Sequence, residues 1–300
     1  MTLGSFVALS LYLVQLAGIL KSLGGIYQGL VSQFVYVDRF FEIYERPEKR
    51  SMVSEGPSPA DASEPSGVLL FKDVSFGYRP DRPVFNHINF AISEGEAIAL
   101  IGNSGTGKST MAALMLRLYR PLNGSILLYG RDLNALDENV IRHTIGIVLQ
   151  ETPLLHKTVK ENLLFAGRHV TEDDFLMVSR VAEVDQFIQL KKGGYEINVG
   201  EQGATLSQGE RQRIAIAMAL MKDPAILILD EATNQLDQDM EARIIQKIRT
   251  YKPRTALIII SCRRNTFGIV DRVFELAEAR LAEVKRPLRD NVLALNIESR

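Results

Sequence analysis

The residues Gly102-Asn103-Ser104-Gly105-Thr106-Gly107-Lys108-Ser109 fit the pattern G-x-x-x-x-G-K-[ST] at every fixed position. Glycines at these places let backbone N–H groups turn inward around phosphate oxygens. Lys108 then reaches the β- and γ-phosphates of a nucleoside triphosphate, and the Ser109 hydroxyl is placed to ligate Mg²⁺. A second chemical pair, Asp230-Glu231, closes the apolar run Ala225-Ile226-Leu227-Ile228-Leu229. A carboxylate at the C-terminal end of a central strand, beside a phosphate loop, is where nucleotide-bound Mg²⁺ is held. Another apolar run, Ala256 to Ile260, ends at Ser261-Cys262, so two buried strands deliver polar groups to one edge.

These groups need a scaffold. The run Ala97-Ile98-Ala99-Leu100-Ile101 precedes the loop, and Met111, Leu114, Met115 and Leu118 follow it on one helical face. Strand, loop, helix is the context the motif requires. The unbroken runs at 225–229 and 256–260 read as strands buried on both faces. Upstream, Gly67-Val68-Leu69-Leu70-Phe71 and Val74-Ser75-Phe76-Gly77-Tyr78 read as strands of an antiparallel edge that turns at Arg79-Pro80. Gly124 to Gly130 reads as a further strand, and Ile145 to Leu149 as a buried strand ending at Gln150. From about Thr158 to Leu190 the spacing turns helical, with Val178, Val181, Ala182 and Val184 among acidic residues.

The first 45 residues have another character. Leu3 to Leu20 carries no charge, which is the lower edge of what crosses a bilayer. No proline occurs before Pro47, so one helix is expected to run from the membrane to about Glu45. Arg39, Arg46, Lys49 and Arg50 cluster on the far side of the uncharged run, and the positive-inside rule then puts the C-terminal bulk in the cytoplasm. A lone helix cannot enclose a polar pathway. Residues 46–66, with Pro47, Pro57, Pro59 and Pro65, read as a flexible linker. A net charge of -1 gives no electrostatic reason to expect nucleic acid, and the single cysteine excludes an intramolecular disulfide framework.

Leu206-Ser207-Gln208-Gly209-Glu210-Arg211-Gln212-Arg213 looks like the signature L-S-G-G-Q with its Arg-Gln-Arg tail, and it lies upstream of Asp230-Glu231. In that order, phosphate loop, signature and acidic strand resemble the nucleotide-binding half of an ATP-binding cassette (ABC) transporter of the exporter type. The start, Thr2-Leu3-Gly4 through Asp38-Arg39-Phe40-Phe41-Glu42-Ile43, resembles the last membrane helix of such a transporter and its cytoplasmic extension.

The resemblance implies an α/β fold: a P-loop NTPase core of mostly parallel strands with flanking helices, an antiparallel β subdomain and an α-helical signature subdomain. A membrane helix (1–45) and linker (46–66) would precede this domain (67–286), and a tail (287–300) would follow. ATP would lie against Gly102 through Ser109 and Thr110, with its adenine stacked on Tyr78. Mg²⁺ would take Ser109, Gln150 and, through water, Asp230. Glu231 would act as general base on the water attacking the γ-phosphate, and Gln150 would contact Mg²⁺ and that water. Ser207, Gln208 and Gly209 would meet ATP bound to an opposite subunit, so that two domains close head to tail. Asp237 would carry communication across the dimer, and Glu201, in Val199-Gly200-Glu201-Gln202-Gly203, would meet the membrane domain.

Three departures from the family pattern stand out. Where the family has a histidine after the last buried strand, this chain has Ser261-Cys262-Arg263-Arg264-Asn265-Thr266. Aligning Arg263, Asn265 and Thr266 puts Cys262 at that place; counting from Arg254 and Thr255 puts Ser261 there. Either way one oriented donor to developing charge is lost, which typically costs about 10²–10³ in rate. A nucleotide-dependent clamp with little turnover is therefore the second reading, beside an ATP-hydrolysing exporter motor. Asn234-Gln235-Leu236-Asp237 stands for S-A-L-D, and Glu278-Ala279-Arg280 lacks the glycine of an acidic-Gly-Arg turn, which strains a backbone that needs positive φ.

Overall fold

The computed structural model describes residues 67–79, 82–167, 170–261 and 268–284, and, of the N-terminal segment, residues 4, 11–13, 15–18 and 21. The chain divides into two compact units, Met1–Arg50 and Ser51–Arg300. In the first, the described residues are helical, and Leu11, Tyr12, Leu13 and Leu16 expose their side chains. Among the described residues no helix is long and apolar enough to cross a membrane. The membrane helix expected over 1–45 is described only at those scattered positions. The linker at 46–66, the tail at 287–300 and Cys262 lie outside the described residues.

The second unit opens with β1 (Leu69–Phe76) and β2 (Phe85–Ile92), paired antiparallel. The chain then runs through β3 (Ala97–Ile101), the phosphate loop and α1 (Lys108–Met115), and returns as β4 (Asn123–Leu128) and β5 (Arg131–Asp132). This completes a four-stranded antiparallel sheet of order β2-β1-β4-β5. After α2 (Glu138–Thr144) and β6 (Ile145–Val148) come four helices: α3 (Val159–Ala166), α4 (Glu172–Val181), α5 (Val184–Ile188) and α6 (Gln208–Met221). Next are β7 (Ile226–Asp230), α7 (Gln238–Tyr251), β8 (Ala256–Ser261), β9 (Arg272–Ala277) and β10 (Arg280–Val284). The second sheet has the order β10-β9-β3-β8-β7-β6. Its pairs are parallel except β10 against β9.

The architecture is thus α/β, with a mostly parallel core sheet, an antiparallel sheet and a helical layer. One element differs from the sequence reading. The two strand pieces around Phe71 and Val74 are a single strand, β1, and it is internal rather than an edge because β4 pairs along its other side. Asp73 breaks the alternation: its left-handed backbone, φ 53°, accompanies a register shift between Phe71 and Val74.

The parallel sheet is a wall between two cores. Side chains alternate across a strand. Ala97, Ala99 and Ile101 of β3 therefore join Leu227, Leu229, Leu257 and Ile259 beneath the helical layer, while Ile98 and Leu100 join Ile226, Ile228 and Ile258 against the antiparallel sheet and α1. Each Leu or Ile among them contributes roughly 1.5–3 kcal/mol on burial, which is why these runs carry no polar residue until their ends.

The helices start where the sequence supplies caps. Thr158 with Glu161, Thr171 with Asp174 and Ser207 with Glu210 form reciprocal boxes at α3, α4 and α6. Glu183, its side chain 0% exposed, has left-handed backbone (φ 57°) ahead of α5. Its carboxylate accepts from Arg243 Nε at 3.2 Å and Lys247 Nζ at 3.0 Å, both on α7, and its carbonyl accepts from Arg213 of α6 at 3.1 Å. Burial alone would raise the Glu183 carboxyl; the two cations outweigh it and hold the group below its ordinary value.

Candidate functional site

The phosphate loop leaves the C-terminal end of β3. Ile101 is in register with Ser261, and Ile260 with Asp230, so the ends of β3, β8 and β7 share one edge of the sheet. Gly107, at φ 107°, precedes α1, and a Cβ there would come within 2.5 Å of Val84 and 2.7 Å of Phe85. Only glycine fits both the backbone and the gap. No side chain caps α1, which leaves its first N–H groups available to an anion. Lys108 is nearly buried, and its ammonium donates to the carbonyls of Gly102 at 2.8 Å and Asn103 at 2.9 Å.

Ser109 Oγ donates to Asp230 Oδ1 at 3.2 Å, across 121 residues of sequence. Burial pushes the Asp230 carboxyl above its ordinary value, opposed by the Ser109 hydroxyl and Lys108. A buried carboxylate beside a hydroxyl is a hard-oxygen seat that suits Mg²⁺. Among the described residues no cluster of three or more His, Cys, Asp or Glu forms, so an ion held here would take its remaining ligands from phosphate and water. Glu231 follows in left-handed backbone, φ 51°, with its N–H bonded to Ile260 O at 3.0 Å. Residues locked in such conformations cluster at functional sites.

A cavity of about 830 Å³ runs along the loop, lined among others by Tyr78, Gly105, Thr106, Lys108, Ser109, Thr110 and Glu231. Tyr78 bonds Thr110 Oγ1 through its hydroxyl at 3.0 Å and leaves 57% of its surface exposed. Tyr119 stands edge-on to it, with ring centroids 5.2 Å apart at 88°, and Phe76 closes the set at 5.2 Å from Tyr78 and 5.6 Å from Tyr119. Sequence reasoning found Tyr78 but not Tyr119, whose position after α1 carries no periodic signal. It also missed Arg79, Arg82, Glu278 and Ala279, which line the same cavity from two turns.

The remaining candidates gather elsewhere. Ser207 caps α6: its Oγ accepts the Glu210 N–H at 3.2 Å, and Glu210 accepts the Ser207 N–H at 2.8 Å. Burial pushes the Glu210 carboxyl up, but Ser207 and Lys191 hold it below its ordinary value. Gln150, Glu201 and Gln208 line a second cavity of about 520 Å³ with Arg211 and Gln212. Gln150 is thus placed beside the signature rather than in the phosphate cavity. Arg211 ties the two parts together by donating to Gly203 O at 3.2 Å and Leu206 O at 3.0 Å. Asp237 caps α7 through the Met240 N–H at 2.8 Å.

The profile of the family described as ABC transporter matches residues 85–234, from β2 through the phosphate loop and the signature to the turn after Glu231. This chain belongs to the ABC transporter family. Over 282 residues it is 35% identical to a heavy metal tolerance protein of Schizosaccharomyces pombe, covering 94% of this chain and 34% of that protein. Over 284 residues it is 34% identical to the leukotoxin translocation ATP-binding protein LktB of a Pasteurella haemolytica-like species, covering 94% of this chain and 39% of that one. A solved bacterial Atm1-family ABC exporter with ATP bound superposes with a TM-score of 0.73 at 31% identity, over 94% of this chain and 49% of the exporter chain. This ABC protein therefore spans between a third and a half of the length of the relatives it matches.

Proposed function

We propose that this chain is the motor portion of an ABC exporter, which binds ATP and Mg²⁺, closes head to tail with a second nucleotide-binding domain, and hydrolyses ATP to drive export. The observation that carries this reading is the separation of two half-sites. Lys108, Ser109, Tyr78 and Glu231 line one cavity, whereas Gln208 of the signature lines another. A signature that belongs to ATP catalysis yet stands away from its own phosphate loop needs a loop from a second domain.

In this reading Lys108 releases the Gly102 and Asn103 carbonyls for phosphate oxygens. The N–H groups at the start of α1 take the same anion, and Tyr78 offers its face to adenine. Bound Mg²⁺ would lie at Ser109 and Asp230, with Gln150 joining on closure, and supplies neutralising charge to the transferred group. Glu231 receives the proton of the attacking water. Cys262, or Ser261 on the other alignment, stands where the family has an oriented donor, so turnover is slow rather than absent. Residues 1–45 anchor the chain to further membrane helices, 67–286 form the cytoplasmic motor, Glu201 faces the membrane domain and Asp237 faces the opposite domain.

The full chain tests this by calorimetry and phosphate release. Lys108→Ala is expected to weaken ATP affinity about 10- to 100-fold, the scale of a lost charge-assisted bond. Glu231→Gln is expected to keep ATP affinity and cut turnover about 100-fold or more. Unchanged affinity in the first, or unchanged turnover in the second, overturns the assignment.

A further inference from the structure

The turn that follows Glu231 carries a polar contact to the Glu231 carboxylate. Asn234 Nδ2 donates to Glu231 Oε2 at 3.2 Å. The same two residues are joined along the backbone, where Asn234 N–H donates to Glu231 O at 3.2 Å. The Glu231 backbone is fixed from the other side by its N–H to Ile260 O, and its φ of 51° leaves it little freedom to relax. Both side chains are half-buried. An amide donor on one carboxylate oxygen restrains the rotation of the carboxylate plane.

We propose that Asn234 is a positioning residue for Glu231, holding the general base in line in a chain that lacks the usual histidine. This rests on the reading of Glu231 as base. The serine of the usual S-A-L-D carries its donor one bond nearer the backbone, so asparagine gives the longer reach that this contact uses. Thr233 is engaged elsewhere, donating to Glu241 Oε1 at 2.6 Å, and so holds the turn without touching the base.

The test is a double-mutant cycle on the full chain, reading kcat and KM for ATP in the wild type, Asn234→Ala, Glu231→Gln and the double variant. Asn234→Ala is expected to lower kcat about tenfold, as for a hydrogen bond to a charged group, with KM within about twofold. In the Glu231→Gln background the same change is expected to have no further effect. Asn234→Asp keeps the side chain's size and replaces the donor with a like charge, so it is expected to lose more than Asn234→Ala. An unchanged kcat in Asn234→Ala, or an equal loss in both backgrounds, overturns the proposal and leaves the base assignment standing. Wild-type turnover no greater than that of Glu231→Gln overturns the base assignment itself, and this proposal with it.

Discussion

At the scale of residues, the site is a set of groups whose chemistry is set by what they touch. Lys108, Ser109, Asp230 and Glu231 could be placed from spacing because the first two open the helix after the phosphate loop and the last two close a buried strand. Tyr119 and Asn234 could not, since each matters only through a neighbour that folding brings to it: Tyr78 across α1 for the first, the Glu231 carboxylate for the second. Tyr119 holds the Tyr78 ring edge-on from the end of the helix that the phosphate loop begins. An aromatic pair contributes about 0.5–1.5 kcal/mol beyond its buried area. Tyr119→Ala is therefore expected to weaken ATP binding about fivefold while leaving inorganic tripolyphosphate binding unchanged, as measured by calorimetry with both ligands. Equal loss for both ligands would place the defect in the phosphate loop instead.

At the scale of elements, most of the scaffold is legible and its irregularities are not. The unbroken apolar runs at β3, β7 and β8 announce buried strands, and the Thr-x-x-acidic pattern announces α3 and α4. The bulge at Asp73 has no such signature, which is why β1 reads as two pieces. The hairpin between β9 and β10 turns on Glu278 and Ala279, with φ of 48° and 61°, and Ala277 faces Arg280 across it. Two positive φ values are the mark of a turn that favours glycine, and its cost falls on Ala279. The turn bears on the site, for Ala279 O accepts the Asn86 N–H at 2.9 Å, next to the Phe85 ring that packs against Gly107. Ala279→Gly is expected to raise stability by about 1 kcal/mol with an unchanged urea m-value, as read from the denaturation midpoint. A lower midpoint would show that the turn carries no strain.

At the scale of the whole molecule, Glu183 ties the start of α5 to α6 and α7 through Arg213, Arg243 and Lys247. It was not singled out in the sequence, because a glutamate between two helices reads as surface. Glu183 is buried but its two cations are nearly half exposed, so losing the pairing costs about 1–2 kcal/mol, less than for a fully buried pair. Glu183→Gln is thus expected to be less stable than the wild type at pH 7 by roughly that amount. The folded-state carboxyl titrates below its ordinary value, so its contribution is complete above about pH 4.3 and is lost as pH falls through the lower folded-state value. Urea denaturation at pH 7 and at successively lower pH checks this: the two proteins are expected to differ at pH 7, and the difference to shrink as pH falls below the ordinary carboxylate range. A constant difference would exclude the ion pair as its cause. The strand order has a consequence in time as well. β3 lies between β8 and β9, so both its partners are made after nearly all the rest of the domain. At translation rates of about 5–20 residues per second, the strand that ends in the phosphate loop waits roughly 10–30 s for its first neighbour. Through that interval a ribosome carries the phosphate loop behind a strand that has no sheet partner, with its five apolar residues open to chaperones.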